Sequence, residues 1–219
     1  MTGATAPAGR GALELRDAVV RRGDFEVRLD LRVDPGEVLA LTGPNGTGKS
    51  SLLAALAGTL PLASGSLSLG GEVLDGVAAW VPPERRGVGL VPQQHLLFGH
   101  LSAVENVAYG LRARGVRRRV ARAEAAGWLD RLGLSDRAHL RADALSGGQS
   151  QRVAIARALA AHPAYVLLDE PFAALDVGVR ADVRALVADA LRELAVPAVL
   201  VTHDEADVDA LATRAVALG

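Results

Sequence analysis

Residues 38–50, VLALT followed by GPNGTGKS, constrain this chain more than any other stretch. The apolar run reads as a buried strand, the glycine-rich octet as a loop, and SLLAALAG at 51–58 as a helix. That is the strand–loop–helix setting in which G-x-x-x-x-G-K-[ST] cradles phosphate. Gly43, Gly46 and Gly48 let the backbone wrap an anion, and Pro44 and Thr47 complete the turn. The amides from Asn45 to Ser51 and the helix N-terminus supply positive potential, Lys49 reaches the β- and γ-phosphates, and Ser50 offers its hydroxyl to Mg²⁺. Composition sharpens the reading: among 24 Lys+Arg, Lys49 is the only lysine. A chain that uses arginine everywhere else keeps a compact ammonium here, where a planar fork is no substitute.

The elements around this loop set the fold class. LELRDAVV and FEVRLDLRV alternate partly and read as an antiparallel pair within residues 13–33, and SGSLSLGGEVL reads as a second hairpin turning at Gly70-Gly71. GVGLV is a strand at 87–91. From Leu101 to about Arg141 the periodicity is helical, and no strand is expected there. QRVAIARALAAH then reads as a helix, AYVLLDEP as a strand, Val177 to Leu194 as a helix, AVLVTHD as a strand, 205–213 as a last helix, and AVALG as the start of a strand. Strands alternating with helices predict an α/β chain with a parallel sheet, an N-terminal antiparallel β-subdomain and an inserted helical subdomain at about 95–145, all in a single domain over 1–219. Residues 1–12, small and polar, are expected to be a flexible N-terminus.

Composition excludes more than it assigns. The absence of cysteine removes disulfides, thiol catalysis and Cys-based metal sites, and fits a reducing compartment. No stretch reaches the roughly 18 uninterrupted apolar residues of a spanning helix. A net charge of -1, with no basic run longer than Arg117–Arg119, argues against a nucleic-acid partner.

Two further segments carry chemistry. YVLLDE at 165–170 is an apolar strand ending in two carboxylates. Asp169 is placed to hold Mg²⁺ through water and Glu170 to polarise an attacking water, as in phosphate-loop nucleotidases. Leu145-Ser146-Gly147-Gly148-Gln149 is a second anion-suited segment before a helix. One nucleotide does not need two such loops from one chain, so Ser146 and its neighbours Gly147, Gly148 and Gln149 are expected to bind the γ-phosphate of a nucleotide held by a second copy.

In this order, GPNGTGKS, LSGGQ, YVLLDEP, ALD at 174–176 and His203 in VTHD resemble the ATP-binding subunits of ABC transporters, over essentially the entire chain after Leu13. The resemblance implies the ABC ATPase fold, a phosphate-loop NTPase core that binds ATP and Mg²⁺ and hydrolyses ATP. It implies that Gln93 in LVPQQ bridges the Mg²⁺ site to the helical subdomain, that Asp176 communicates across the dimer, and that His203 contacts the γ-phosphate and orients water for Glu170 as base. Phe25 lies closer to the phosphate loop than the family's usual adenine-stacking aromatic, and sits in an alternating run. It is either that aromatic or a core residue. Ser150 stands where a basic residue commonly follows the signature. Arg152 and Arg157 remain on the next helix, where a charged solvent face is the competing assignment. His95, His100, His139 and His162 match no family role and are expected to be structural or solvent-facing.

LLFGHLSAVENVAYGL at 96–111 resembles the importer ATPases, and the interval from Gln93 to Leu145 leaves no room for the long coiled coil of the chromosome and DNA-repair ATPases. The N-terminal strand pair looks like that of the molybdate-importer branch, with sulfate, iron(III) and polyamine importers nearby. The implied molecule is a peripheral subunit on the cytoplasmic face of the membrane. It dimerises with a second copy around two ATP molecules and drives a polytopic permease served by a substrate-binding protein, for molybdate or another oxyanion. Family members of another kind act on nucleic acid or ribosomes without transport. The segment from Gln93 to about Leu111 is expected to receive a permease helix through Leu96, Leu97, Phe98 and Leu101; the alternative is that these residues pack inside the helical subdomain.

Overall fold

The computed structural model describes residues 11–218 apart from Asp24, Ala78 and His95. Most of the expected flexible N-terminus, and the expectation for His95, therefore lie outside the described residues. The elements in chain order are β1 (Leu13–Arg22), β2 (Phe25–Val33), β3 (Val38–Thr42), α1 (Lys49–Ala57), β4 (Ser64–Leu69), β5 (Glu72–Gly76), β6 (Ala79–Trp80) and β7 (Val88–Val91). Then follow α2 (Ala103–Ala113), α3 (Arg118–Arg131), α4 (Gly147–Ala160), β8 (Tyr165–Asp169), α5 (Val177–Leu194), β9 (Ala198–Val201), α6 (Glu205–Leu211) and β10 (Arg214–Ala217).

Two sheets result. The antiparallel one runs β2-β1-β4-β5-β6 and the parallel one β10-β3-β9-β8-β7. The parallel strands are buried on both faces, so they read as continuous apolar runs, yet their side chains still alternate between two cores. Leu39, Leu41, Tyr165, Leu167, Val199 and Val201 turn toward α1 and the antiparallel sheet. Val38, Val166, Leu168, Ala198 and Leu200 turn toward the other core, shared with buried residues of α2–α5. The helices α2 and α3 bury Val104, Val107, Leu111, Ala121, Ala125 and Leu129 in that second core. In α2, Ser102 caps the helix by accepting from Glu105 N–H, and buried Asn106 bonds the Phe98 backbone through both N–H···O directions.

One buried cation ties the antiparallel sheet to α1. Arg86, whose side chain is fully buried, donates from Nε to the Val81 carbonyl (2.7 Å), from Nη1 to the carbonyls of Ala55 (2.9 Å) and Leu56 (3.3 Å), and from Nη2 to Asp75 (3.3 Å). The Ala55 and Leu56 carbonyls belong to the last turn of α1, where orphan acceptors favour a cation. Gly58 ends the helix with φ +86, and a Cβ there would lie 2.4 Å from Arg86 Nε. Both the positive φ and the close guanidinium therefore require glycine. Tyr165 donates its hydroxyl to the Leu56 carbonyl, so the start of β8 is fastened to the same turn. Burial holds its phenol well above the usual tyrosine range.

Candidate functional site

In an open parallel sheet, ligands bind beyond the carboxyl ends of the strands. β3, β8 and β9 end together here, with Leu41 opposite Val201 and Val201 opposite Asp169, and β7 ends beside β8 with Val91 opposite Leu168. The loops after these strands carry the phosphate loop, the Asp169-Glu170 pair, His203 and Gln93. They converge on one edge.

α1 starts with Gly48 at φ +91 as N-cap, and no side chain caps its first N–H groups. A helix start of that kind presents its amides to an anion. Gly48 is further enforced by the β1–β2 hairpin: a Cβ would lie 2.5 Å from Phe25 Cε1 and 2.5 Å from Val27 Cγ2. Lys49 folds back over the loop, Nζ donating to the carbonyls of Gly43 and Pro44, each at 2.7 Å, while Thr47 Oγ1 donates to Pro44 (3.0 Å). Gly43 takes φ +130 against the end of β10.

These residues open into a cavity of about 440 Å³. Its lining comes from the phosphate loop and the start of α1 (Asn45, Gly46, Gly48, Lys49, Ser50 and Ser51), from the ends of the parallel strands and the loops after them (Gln93, Asp169, Glu170 and Val201), and from the β1–β2 hairpin, whose wall is Arg22 and Phe25. Phe25 is 38% exposed, so it belongs to this wall and the core alternative is set aside. Arg22 was not anticipated. Its signal was the hairpin register, which sets Arg22 directly opposite Phe25.

Burial pushes the Asp169 carboxyl above its ordinary range, the neighbouring Glu170 charge pushes it further, and Lys49 opposes both. A partly buried carboxylate beside a second carboxylate is suited to a bound cation. With the Ser50 hydroxyl and Gln93 on the same cavity it gives the hard oxygen donors that Mg²⁺ prefers in phosphate sites. The residues fit the ion. Glu170 sits at φ +46, a left-handed conformation rare for a glutamate, held by its N–H donating to the Val201 carbonyl. This turn brings Glu170 Oε1 to 3.2 Å from His203 Nδ1.

Residues outside the sequence expectations fix the His203 loop. Thr202 Oγ1 donates to Asp207 (2.7 Å) and accepts from Asp204 N–H (3.1 Å), and Arg184 of α5 donates twice to Asp207 (2.8 and 2.6 Å). Arg180 reaches back to the Leu175 carbonyl (2.9 Å), next to Asp176, which is the exposed N-cap of α5. Arg152 and Arg157, for which a contact to phosphate or backbone and a charged helix face are the competing expectations, tether backbone: Arg152 donates to Leu132 (2.8 Å) and Arg157 to Leu96 (2.9 Å). His162 pairs with Glu124 (2.7 Å) at the surface.

Ser146, Gly147, Gly148 and Gln149 do not line the cavity. Gly147, Gly148 and Gln149 are already the first turn of α4, and Ser146 and Gln149 form a reciprocal capping box, with Ser146 N–H donating to Gln149 Oε1 (3.0 Å) and Gln149 N–H to Ser146 Oγ (3.3 Å). Gly148 packs closely on the Ala174 carbonyl, beside Asp176. Of the four apolar residues expected to meet a permease helix, Leu96 is largely exposed, Leu97 packs on the core, and Phe98 and Leu101 are half-buried. The Phe98 ring lies 4.6 Å from Tyr109 with the Arg157 guanidinium 5.6 Å from its centroid.

The ABC transporter family model matches residues 27–173. The chain is 42% identical over 205 residues to the sulfate/thiosulfate import ATP-binding protein CysA of Mycolicibacterium paratuberculosis, covering 93% of this chain and 56% of that protein. It is 45% identical over 183 residues to the Fe(3+) ions import ATP-binding protein FbpC 2 of Rhodococcus jostii, covering 83% and 51%. The chain thus spans about half the length of the curated relatives it matches. Among solved structures it superposes on the dimeric, post-hydrolysis state of the ATP-binding cassette MJ0796 bound to ADP and Pi, with a TM-score of 0.83, 28% identity and 94% of each chain covered. With the cassette fold, the phosphate loop and the extended sequence match in agreement, the chain belongs to the ABC transporter family.

Proposed function

We propose that this chain is the ATP-binding and ATP-hydrolysing subunit of an import complex. Two copies close around two ATP molecules on the cytoplasmic face of the membrane and drive a polytopic permease, which a substrate-binding protein supplies. Lys49, Ser50 and the α1 amides bind the phosphates. Ser50, Asp169 and Gln93 hold Mg²⁺, which neutralises phosphate charge. Glu170 takes the proton of the attacking water, and His203, on the loop that Thr202 and Asp207 brace, orients it. Phe25 stacks on adenine. Ser146 to Gln149 and Asp176 serve the nucleotide of the other copy.

The observation that carries this reading is the division of one chain into two half-sites: a cavity holding Lys49, Asp169 and Glu170, and a separate capped helix start at Ser146 that does not line it. MJ0796 is described as dimeric, and the named relatives as import proteins for sulfate/thiosulfate and Fe(3+), which supports both the pairing and the transport role. The substrates to test first are oxyanions, molybdate and sulfate. Glu170→Gln should retain ATP, lose turnover by orders of magnitude and accumulate a nucleotide-bound dimer on gel filtration. Near-normal steady-state hydrolysis in that variant would remove Glu170 from the role of base.

A further inference from the structure

Arg22 closes the β1–β2 hairpin opposite Phe25, and directly opposed residues of an antiparallel pair project from the same face with Cβ atoms about 4.5–5.5 Å apart. Both line the cavity above the phosphate loop, where the Phe25 ring rests against Gly48. The adjacent Arg21 is tied to Glu26 at 2.6 Å, whereas no described residue forms a hydrogen bond or ion pair with the Arg22 side chain. Lys49, Asp169 and Glu170 fix where the phosphates lie. With the phosphates on those groups, the hairpin side of the cavity is left for the nucleoside end, which would there meet Arg22.

We propose that Arg22 is a nucleoside-binding residue that, beside Phe25, contacts the purine base and ribose of the bound nucleotide through its guanidinium. A planar cation suits this position because it stacks on a π-face and also donates to ring nitrogens and ribose hydroxyls. The inference deepens the ATP reading above and rests on it.

The test is calorimetric titration of the parent chain, Arg22→Gln and Lys49→Ala with ATP, ADP and inorganic tripolyphosphate, in EDTA to prevent hydrolysis. Arg22→Gln should weaken ATP and ADP by one common factor, about five- to ten-fold, and leave tripolyphosphate affinity unchanged. The exposed side chain should leave the melting temperature at the parent value. Unchanged ATP affinity overturns the proposal, and so does an equal loss for tripolyphosphate, which would make Arg22 a phosphate ligand. Lys49→Ala separates the two claims: if it fails to weaken ATP, the phosphate-loop reading itself falls.

Discussion

Arg86→Met removes the guanidinium that joins α1 to the antiparallel sheet: the Val81 carbonyl loses its bond from Arg86, the Ala55 and Leu56 carbonyls lose a charged donor and keep the Gly58 N–H and the Tyr165 hydroxyl, and the buried Asp75 carboxylate loses its cation and keeps the Leu62 N–H. Removing one member of a buried pair costs about 3–5 kcal/mol, and a bond from a charged donor contributes about 1.5–3 kcal/mol. Two of the four contacts are short, at 2.7 and 2.9 Å, and two are long, at 3.3 Å, so we expect a loss of about 4 kcal/mol. In a domain of this size that lowers the melting temperature by about 8–16 °C. Asp75→Asn is predicted to be much milder, about 1 kcal/mol, because it keeps an oxygen for the Leu62 N–H and leaves the three carbonyl contacts of Arg86 in place. The assay is urea unfolding followed by circular dichroism for the parent, both single variants and the double variant. The double variant should be no less stable than Arg86→Met, since no orphaned carboxylate remains. If Arg86→Met stays within 1 kcal/mol of the parent, or Asp75→Asn costs as much as it does, the guanidinium is not the helix-end anchor described above.

Asp169→Asn should raise the melting temperature of the nucleotide-free chain at pH 7. The folded Asp169 carboxyl titrates above its ordinary value of 3.8, so ionisation costs stability as pH rises through the folded value, and the penalty vanishes below the unfolded one. The advantage of Asn should therefore shrink as the pH falls toward 4, and a lower melting temperature than the parent at pH 7 would contradict the shift. Phe98→Asp should cost only about 1–2 kcal/mol, because the ring is half-buried against Tyr109, and basal hydrolysis should persist while assembly with a permease is lost. Thermal melting beside co-purification separates this from a core role, in which assembly fails only because the chain unfolds.

Elements with a strong period were legible from sequence. The β1–β2 hairpin, β3, β8 and the bounds of α5 follow from alternation, continuous apolar runs and helical spacing. β6 was not legible, since Ala79 and Trp80 are both exposed and two residues show no period. α4 begins at Gly147, earlier than its apolar periodicity suggests, because the capping box and not hydrophobic spacing sets its start. Arg85 and Arg86 are adjacent and alike in sequence, yet one is exposed and the other buried; only the meeting of α1, β5 and the Val81 carbonyl distinguishes them. Of the site, the contiguous motifs were readable, and the parts assembled from distant segments were not. The Arg184–Asp207–Thr202 support and the Arg22 wall depend on which strands and helices become neighbours.

The crowding around Gly43 bears on how any substitution series through the phosphate loop is interpreted. A Cβ on Gly43 would lie 2.2 Å from the Leu218 carbonyl, and one on Gly48 would strike Phe25 and Val27. Loss of nucleotide affinity in an alanine variant at either glycine would thus report a displaced terminal strand or hairpin as much as a missing phosphate contact. Gly46, with open space around the Cβ direction, carries only the backbone strain of its φ of +88. A measured difference between Gly46→Ala and the other two would therefore separate conformational freedom from steric clearance, two requirements that the motif writes with one letter.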